Sequence, residues 1–207
     1  MNGLQADGTQ AQRPATAGDA AADDLVHRLE ELNAIGASLS AERDINRLLE
    51  SILAAAKTIT RADGGTLYRL TEERTLRFEI VRTTSLKYYL GGTTGTPVPF
   101  YPIHLIGKDG KPNHGMVAAY AALTGQTVNI PDAYTADGFD FSGTRNFDKK
   151  TGYRSTSFLT VPMKNHENEI IGVLQLINAT PPRTGEIVAF SPSDQRLAES
   201  LASHAAI

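Results

Sequence analysis

The chain has 207 residues, with 41% hydrophobic and 21% charged residues, a net charge of -3 and no cysteine. The missing thiols exclude disulfides, thiolate nucleophiles and cysteine-ligated metal centres, and the five histidines lack the i, i+4 spacing of a helical metal site. Scattered basic residues and the lack of a long apolar run argue against nucleic acid or a membrane as partners, so we expect a soluble cytoplasmic protein.

The N-terminal segment, residues 1–22, contains almost no bulky apolar side chain. Such a segment cannot bury enough surface to offset the entropy of ordering it, so we predict a disordered leader. Helical spacing follows in residues 23–40, which predicts a helix with one apolar stripe. The stripe consists of Leu25, Leu29, Leu32, Ile35 and Leu39. This apolar stripe needs another apolar surface to pack against, so we interpret residues 23–40 as a signalling helix that pairs with the same helix of a second copy.

A second helix is predicted from Asp44 to a turn at residues 63–65, where Asp-Gly-Gly favours a chain reversal. The apolar period then changes to two, which predicts a hairpin of strands 66–70 and 76–82. The alternation in its second strand places three apolar side chains on one face, namely Leu76, Phe78 and Ile80.

Glycine and proline make residues 87–102 irregular, and a short strand is predicted near 103–106. A helix follows from Asn113, a plausible N-cap, to Gly125, which suits the left-handed position after a helix.

A brief strand at 127–130 precedes a polar loop at 131–145. We expect Phe139 and Phe141 to anchor this loop. Long loops inside a compact domain are often functional, so the loop is a candidate cover for a binding site.

The most informative stretch, residues 145–178, joins a polar segment to two strand-like runs. Residues 157–164 alternate in polarity, whereas 170–178 are apolar on both faces and must be covered on both sides. Gln175 is the exception, on a face with Ile171, Val173 and Ile177. Its amide needs a partner, either a neighbouring chain group or a bound small molecule.

A linker at 180–190 leads to a final helix, residues 190–207, which opens with a Ser-Pro-Ser-Asp cap. Since the sequence stops at Ile207 without glycine, asparagine or a basic last turn, we expect the helix to continue into an output domain.

Three stretches resemble the GAF domain family: GQTVNIPDAY at 125–134, FDKKTGYRSTSFLTVPM at 147–163 and IIGVLQLIN at 170–178. The resemblance is to the cyclic-nucleotide-binding type known from phosphodiesterases and bacterial cyclases, and it implies a GAF domain over residues 23–207. The implied fold class is α+β and GAF/PAS-like: a six-stranded antiparallel sheet has the terminal helices on one face and a ligand pocket with short helices and loops on the other.

The resemblance also implies which residues contact a ligand. Asp148, Thr151 and Ser155 stand where members present side chains to it. Thr144 replaces an aromatic residue there, and Gln175 replaces an acid that reads the base. The helix start near 113–116 offers N–H groups to an anion. The candidate ligand-binding residues are therefore Thr144, Asp148, Thr151, Ser155, Gln175, His114, Gly115 and Met116.

Structural alternatives remain open for several of these residues. Asp148 and Thr151 suit the start of a short helix equally well. His114 fits either a charged donor to an anion or a solvated side chain. Tyr153 and Arg154 suit a ligand contact, although Tyr153 also fits a half-buried position on the sheet.

Members also carry a set of Asn-Lys, Phe and Asp-Glu residues, in which the lysine and the aspartate form a salt bridge. The corresponding residues here are Asn178-Ala179, Phe190 and Asp194-Gln195, so the lysine and the glutamate are missing. The resemblance therefore predicts that this salt bridge is absent.

We expect a regulatory sensor domain of a bacterial signal-transduction protein. Its ligand would be a cyclic nucleotide or another small anionic molecule, and its output an HD-GYP cyclic-di-GMP phosphodiesterase or a nucleotide cyclase. The alternative is a ligand-free module that forms a homodimer through the terminal helices. A haem or flavin sensor is a weaker option. No nucleophile, base and orienting group cluster in the sequence, so we expect no catalysis by this region.

Overall fold

The computed structural model describes residues 17–181 and 184–205, and these form five α-helices and seven strands. The helices are α1 (Ala17–Ala41), α2 (Ile45–Thr60), α3 (Val117–Thr124), α4 (Ser142–Thr151) and α5 (Pro192–Ser203). The strands are β1 (Ala62–Leu70), β2 (Thr75–Thr83), β3 (Tyr88–Gly91), β4 (Ile103–His104), β5 (Val128–Ile130), β6 (Phe158–Lys164) and β7 (Ile170–Ala179). No helix within these ranges is both long and apolar enough for a membrane span.

The strands form one antiparallel sheet, which confirms the predicted α+β class. Six strands follow the order β3-β2-β1-β7-β6-β5, and the two-residue strand β4 adds a seventh by pairing with the start of β2. Strands β1 and β7 lie at the centre and pair along most of their length. The sheet therefore has one more strand than the six expected.

A β-bulge divides strand β2 between the two faces of the sheet. Leu67 pairs with Ile80 and Tyr68 pairs with Phe78, so Glu79 is an extra residue that reverses the alternation. Phe78 packs with Leu76, whereas Ile80 joins the core on the other face. The prediction that these three side chains share a face is wrong.

A second irregularity lies between Met163 and Lys164, which pair with Gly172 and Ile170. It places Ile171 in the helix-side core, away from Gln175. The expectation that these two side chains share a face is therefore also wrong.

Helices α2 and α5 cover one face of the sheet, which we call the helix-covered face. Apolar side chains of both helices pack there against side chains of the sheet. The largest fully buried side chains of this core are Ile52, Leu53, Ile59 and Leu201 of the helices and Leu67, Ile80, Leu159, Met163, Leu174 and Leu176 of the strands. Helix α1 packs on α2 and α5. Since Leu201 faces its own domain, the apolar stripe of the last helix is not available to a second copy.

Several predicted boundaries need correction. Helix α1 begins at Ala17, so residues 17–22 are helical, and the rest of the predicted leader lies outside the described residues. The chain reverses at Arg61, which has a left-handed φ of 57° and caps α2. Residues 63–65 belong to β1 instead of a turn. Gly65 leaves room in that strand for Leu53, whose Cδ1 would lie 2.7 Å from a Cβ at this position.

Helix α3 begins at Val117, not at Asn113, whose side-chain amide donates to the His104 carbonyl at 2.9 Å. The predicted end at Gly125 is confirmed by its φ of 67°. The polar loop is shorter than predicted, because α4 begins at Ser142. The last helix carries the predicted cap: Ser191 and Asp194 form a reciprocal capping box.

We predict that Leu201→Ala lowers the free energy of unfolding by about 2–5 kcal/mol, because it leaves a cavity in the core on the helix-covered face. Urea denaturation measures the loss. The control is Ile187→Ala, whose side chain is 37% exposed, with an expected change within about 0.5 kcal/mol. Equal losses in the two variants would contradict this placement of the core.

Candidate functional site

The opposite side of the sheet, which we call the loop-covered face, has a polar centre. Gln175 of β7 lies in register with Thr66 of β1 and Thr160 of β6, and all three are buried. Alternation along the strands places Tyr68 and Phe158 on the same face. Helix α3 and the segments after it cover this face. A buried amide here needs hydrogen-bond partners.

The partners of Gln175 are side chains of the chain itself. The Tyr68 hydroxyl donates to Gln175 Oε1 at 3.1 Å, and Gln175 Nε2 donates to Thr160 Oγ1 at 3.0 Å. Burial raises the pKa of Tyr68, so its phenol remains a proton donor at neutral pH. Of the two alternatives for Gln175, a neighbouring chain group is the one present. We call these three side chains the Gln175 network.

Aromatic side chains extend from β1 to helix α4. The ring centroids of Tyr68 and Phe78 lie 4.7 Å apart, Phe78 and Phe100 lie 5.2 Å apart, and Phe100 and Phe147 of α4 lie 6.4 Å apart. Tyr153 continues the series at 6.5 Å from Phe147.

A second series connects the segment before α3 with strand β6. It comprises His114, Tyr120, Phe139, Phe141 and Phe158, with neighbouring centroids between 5.5 and 6.4 Å apart. Phe141 is buried and Phe139 packs on the same cluster, which confirms both as anchors of the loop. Together, the two series give the loop-covered face aromatic walls.

Asp148 joins the two ends of the segment that covers the site. Its carboxylate is buried and accepts hydrogen bonds from the Tyr134 hydroxyl at 2.6 Å, the Ser155 N–H at 2.8 Å and the Ser155 hydroxyl at 2.8 Å. The bond to Asp148 raises the pKa of the Tyr134 phenol. We call Tyr134, Asp148 and Ser155 the Asp148 cluster.

The structure corrects one expectation for Asp148 and Thr151. Both residues lie in the second half of α4, so neither caps a helix start. The Thr151 hydroxyl donates to the Phe147 carbonyl at 2.9 Å. In this structure Asp148, Thr151 and Ser155 bond to the chain itself. Their contact with a ligand stays a prediction.

Tyr153 and Arg154 also have partners within the protein. The half-buried Tyr153 donates its hydroxyl to Asp63 Oδ2 at 2.7 Å, and burial together with this bond raises its pKa. The Arg154 guanidinium carbon lies 3.9 Å from the centroid of the Tyr134 ring, a cation–π contact, and that of Arg145 lies at 5.7 Å.

The remaining candidates lie in two other places. His114, Gly115 and Met116 are exposed before α3, where the Gly115 carbonyl accepts from the Asp140 N–H at 2.7 Å. Thr144 is partly exposed in the first half of α4. The structure thus brings Asp148 and Ser155 into contact and gives Gln175 a separate network. Sequence reasoning missed Tyr68, Tyr134 and Thr160, whose partners lie 107, 14 and 15 positions away along the chain.

Asn178, at the end of β7, fixes the loop that follows α4. It adopts a left-handed φ of 61°, and its Oδ1 accepts from the Thr156 N–H at 2.7 Å and the Ser157 N–H at 3.3 Å. Its Nδ2 donates to the Arg154 carbonyl at 2.7 Å. Because these contacts use both the oxygen and the nitrogen of its amide, Asn178 is a structural residue at the edge of the site.

Asp194 forms a salt bridge although residue 179 is alanine. Its partner is Arg28 of α1, and both side chains are about nine-tenths buried, with exposures of 10% for Arg28 and 11% for Asp194. The lysine–aspartate salt bridge itself cannot form, as predicted, because residue 179 is alanine. The aspartate is paired, but its cation comes from a helix more than 150 residues earlier in the chain.

Two surface clefts lie away from the Gln175 network and contain no candidate ligand-binding residue. One, of about 390 Å³, is lined by Gly125, Thr127, Val161, Pro162, Lys164, Asn165, His166, Glu199 and Ser203. The other, of about 580 Å³, is lined by Glu50, Ala54, Lys57, Thr58, Arg61, Ala62, Asp63, Arg82, Thr84, Tyr89 and Thr180. In the part of the chain that the structure describes, no three acidic or histidine side chains converge as metal ligands would.

Comparison with known proteins identifies the family. The family model for the GAF domain matches residues 44–207. This chain belongs to the GAF domain family. Helix α1 lies before the matched region.

The curated relatives are much longer proteins. The chain is 31% identical over 147 residues to a cGMP-specific 3',5'-cyclic phosphodiesterase from Drosophila sechellia. This alignment covers 67% of this chain and 11% of the relative. The chain is also 41% identical over 81 residues to a dual 3',5'-cyclic-AMP and -GMP phosphodiesterase 11A from Takifugu rubripes. That alignment covers 39% of this chain and 8% of the relative. The chain thus spans about a tenth of the length of these relatives.

Solved GAF structures share the fold at low sequence identity. The GAF domain of a phosphoenolpyruvate-protein phosphotransferase from Coxiella burnetii has a TM-score of 0.63 at 14% identity and covers 87% of this chain and 91% of its own. Free methionine-R-sulfoxide reductase from Neisseria meningitidis has a TM-score of 0.60 at 17% identity and covers 95% of this chain and 93% of its own. The latter is an enzyme, so the GAF fold alone does not determine function.

We predict that Asp148→Ala lowers the free energy of unfolding by about 3 kcal/mol, because it leaves the Tyr134 hydroxyl and both Ser155 donors without their acceptor. Urea denaturation measures the change. Asp137→Ala, at an exposed position of the preceding loop, is the matched control and should change stability by less than about 0.5 kcal/mol. Unchanged stability of Asp148→Ala would show that the cluster does not hold the cover in place.

Proposed function

We propose that this GAF domain is a regulatory sensor that binds a small molecule between the loop-covered face and the segment 134–155. The observation that carries the proposal is the Gln175 network, a buried group of polar side chains between aromatic walls. Ligand sites commonly combine an apolar, aromatic lining with a few polar groups that fix orientation. On the helix-covered face, the buried cluster formed by the described residues is largely aliphatic.

The chemistry of the network favours a flat ligand with both donor and acceptor atoms. Gln175 offers an amide oxygen and an amide nitrogen side by side, and Tyr68 and Thr160 add hydroxyl groups. Aromatic rings nearby provide surfaces for stacking. These groups suit a heterocycle such as the base of a cyclic nucleotide. The relatives whose names specify cyclic AMP or cyclic GMP are consistent with this ligand class.

Binding requires the existing hydrogen bonds to be exchanged. A ligand that reaches Gln175 replaces its bonds to Tyr68 or Thr160, so it must supply equivalent donors and acceptors. The Asp148 cluster holds the cover closed and must rearrange during entry. A regulatory signal then arises because the ligand binds the rearranged state better than the closed one. We further propose that the regulated activity belongs to an output domain of a longer protein, an HD-GYP phosphodiesterase or a nucleotide cyclase.

The test is titration of the purified chain with cyclic AMP, cyclic GMP and a metabolite panel, by calorimetry and thermal shift. We predict that Gln175→Leu weakens binding of the active compound by about tenfold to a hundredfold, since a site built for hydrogen bonds loses its central amide. Gln195→Leu, which alters an amide on α5, is the matched control and should bind like the original chain.

Mass spectrometry of the purified protein adds a check for retained ligand. The absence of heat, of a melting-temperature shift and of any retained compound would contradict the sensor proposal. Equal weakening by Gln175→Leu and Gln195→Leu would place the ligand elsewhere.

A second candidate function is dimerisation through α1. The observation that favours it is a group of exposed apolar side chains on this helix: Leu25 is 37% exposed, Val26 54% and Leu29 44%. The buried stripe of α5 cannot contribute, so the proposed interface involves α1 of each copy. Such an interface would align two output domains whether or not a ligand binds.

We predict a solution mass near twice 22.2 kDa, and a return to 22.2 kDa in Leu29→Asp because a carboxylate would enter the apolar interface. Light scattering after size-exclusion chromatography measures both. Ser38→Asp is the control and should remain dimeric, because Ser38 is also exposed but lies about two and a half turns further along α1, on the opposite side of the helix from Leu29. A monomer at high protein concentration would contradict the proposal.

A further inference from the structure

Helix α1 meets the GAF domain through two reciprocal ion pairs. Arg28 of α1 binds Asp194 at the start of α5, and Asp24 of α1 binds Arg61 at the end of α2. Asp24 and Arg28 lie one turn apart on α1, and Arg28 Nη1 is 3.7 Å from Asp24 Oδ2. The domain therefore offers a cation and an anion at the spacing of one helical turn, and α1 offers the complementary pair.

The Arg28–Asp194 pair is buried, which makes it sensitive to position. With side-chain exposures of only 10% and 11%, neither charge can regain full hydration if the other moves away. Loss of one partner from a buried pair is strongly destabilising, because it leaves the other charge uncompensated. Arg28 Nε already has no hydrogen-bond partner among the described residues, so the bond to Asp194 is the main compensation for this guanidinium.

Apolar packing of α1 is weaker than that of the other terminal helix. Leu39 is its one buried apolar side chain within the described residues, and Leu32 and Ile35 are only partly buried. Leu25 and Leu29, on either side of Arg28 in sequence, are exposed. Partly buried aliphatic contacts tolerate rotation or sliding of a helix, whereas an ion pair at fixed sites does not.

We propose that Asp24 and Arg28 form an electrostatic latch that fixes the register of α1 on the GAF domain, and that α1 detaches as a unit when the latch opens. The surface around Arg61 and Asp194 on which α1 docks is thus occupied by a segment of this chain that lies outside the family match. The surface joins three parts of the domain. Asp194 belongs to the α5 capping box, Arg61 caps α2, and the Arg61 carbonyl accepts from both the N–H and the hydroxyl of Thr180 after β7.

The test is amide hydrogen exchange across residues 23–41 of the full chain, without added ligand. Arg28→Met keeps most of the side-chain volume and removes the charge, so exchange in this helix should become faster by about tenfold or more. Exchange in β1 and β7 should stay unchanged. Glu31→Gln, which alters the exposed pair of α1 with His27, is the matched control and should exchange like the original chain. Unchanged protection of α1 in Arg28→Met would overturn the latch.

A double-mutant cycle separates the ion pair from simple packing. Asp194→Asn keeps a side-chain oxygen for the Ser191 N–H and should release α1 as Arg28→Met does, and the two changes together should cost less protection than the sum of their separate effects. Additive effects of the two changes would overturn the proposal. If Arg28→Met accelerates exchange throughout the chain, Arg61→Met tests the more exposed pair instead. A loss of protection confined to α1 would support the latch. Unchanged protection of α1 would overturn it.

A second copy of the chain is the competing occupant of this surface. Protection of α1 that falls with dilution, in step with dissociation of a dimer, would show that α1 docks on a partner and would overturn an intrachain latch. None of these measurements depends on ligand binding, so the latch and the sensor proposal can fail separately.

Discussion

Strand β7 is the constraint on which the rest of the structure depends. It lies between β1 and β6 at the centre of the sheet, and its interior residues from Gly172 to Leu176 are buried on both faces. A strand without a solvent face forces the chain to supply two covers. The first cover is a pair of amphipathic helices, and the second is a set of short helices and loops. Each cover follows from the side chains that β7 directs towards it.

The two covers differ in physical kind, which separates stability from binding. The helix-covered face is closed by aliphatic packing, which is non-directional and is lost only when helices separate. The loop-covered face is closed by aromatic rings and by the hydrogen bonds to Asp148, and the Gln175 network lies within the sheet beneath this cover. Hydrogen bonds can be exchanged one at a time with a ligand or water at little net cost. Local opening is therefore easier on the loop side, where the proposed ligand binds.

Periodicity predicts the strongly patterned elements of this chain and fails where a single residue breaks the pattern. The two-sided apolar run of β7, the stripe of α2 and the capping box of α5 follow from local sequence alone. The bulge at Glu79 does not, because one extra residue reverses a strand without a marker in the composition. Helix α4 was missed because its sequence is rich in residues with poor helix propensity and Phe147 is its one large apolar side chain.

The polar contacts of the site are the least predictable part. Gln175 needed a partner on any reading of the sequence, yet its bond to Tyr68 joins residues more than 100 positions apart. Arg28 and Asp194, which also pair, are likewise more than 150 positions apart in the sequence. Such pairs depend on how several helices and strands are aligned with one another. The sequence therefore indicates that a buried polar group must have a hydrogen-bond partner, but it does not indicate which side chain that partner is.

The end of β7 is the place where the proposed sensor and the proposed latch meet. Asn178 holds the loop that completes the Asp148 cluster, and two residues later Thr180 donates to the carbonyl of Arg61, whose side chain binds Asp24 of α1. A displacement of the loop that reached Asn178 would alter the backbone that positions Thr180, because these residues are consecutive in one chain. The family match begins at residue 44, after α1, so this connection links the matched domain to a helix outside that match. Coupling between ligand and helix then requires that α1 dock with different free energies on the closed and rearranged domain, as any allosteric effect does.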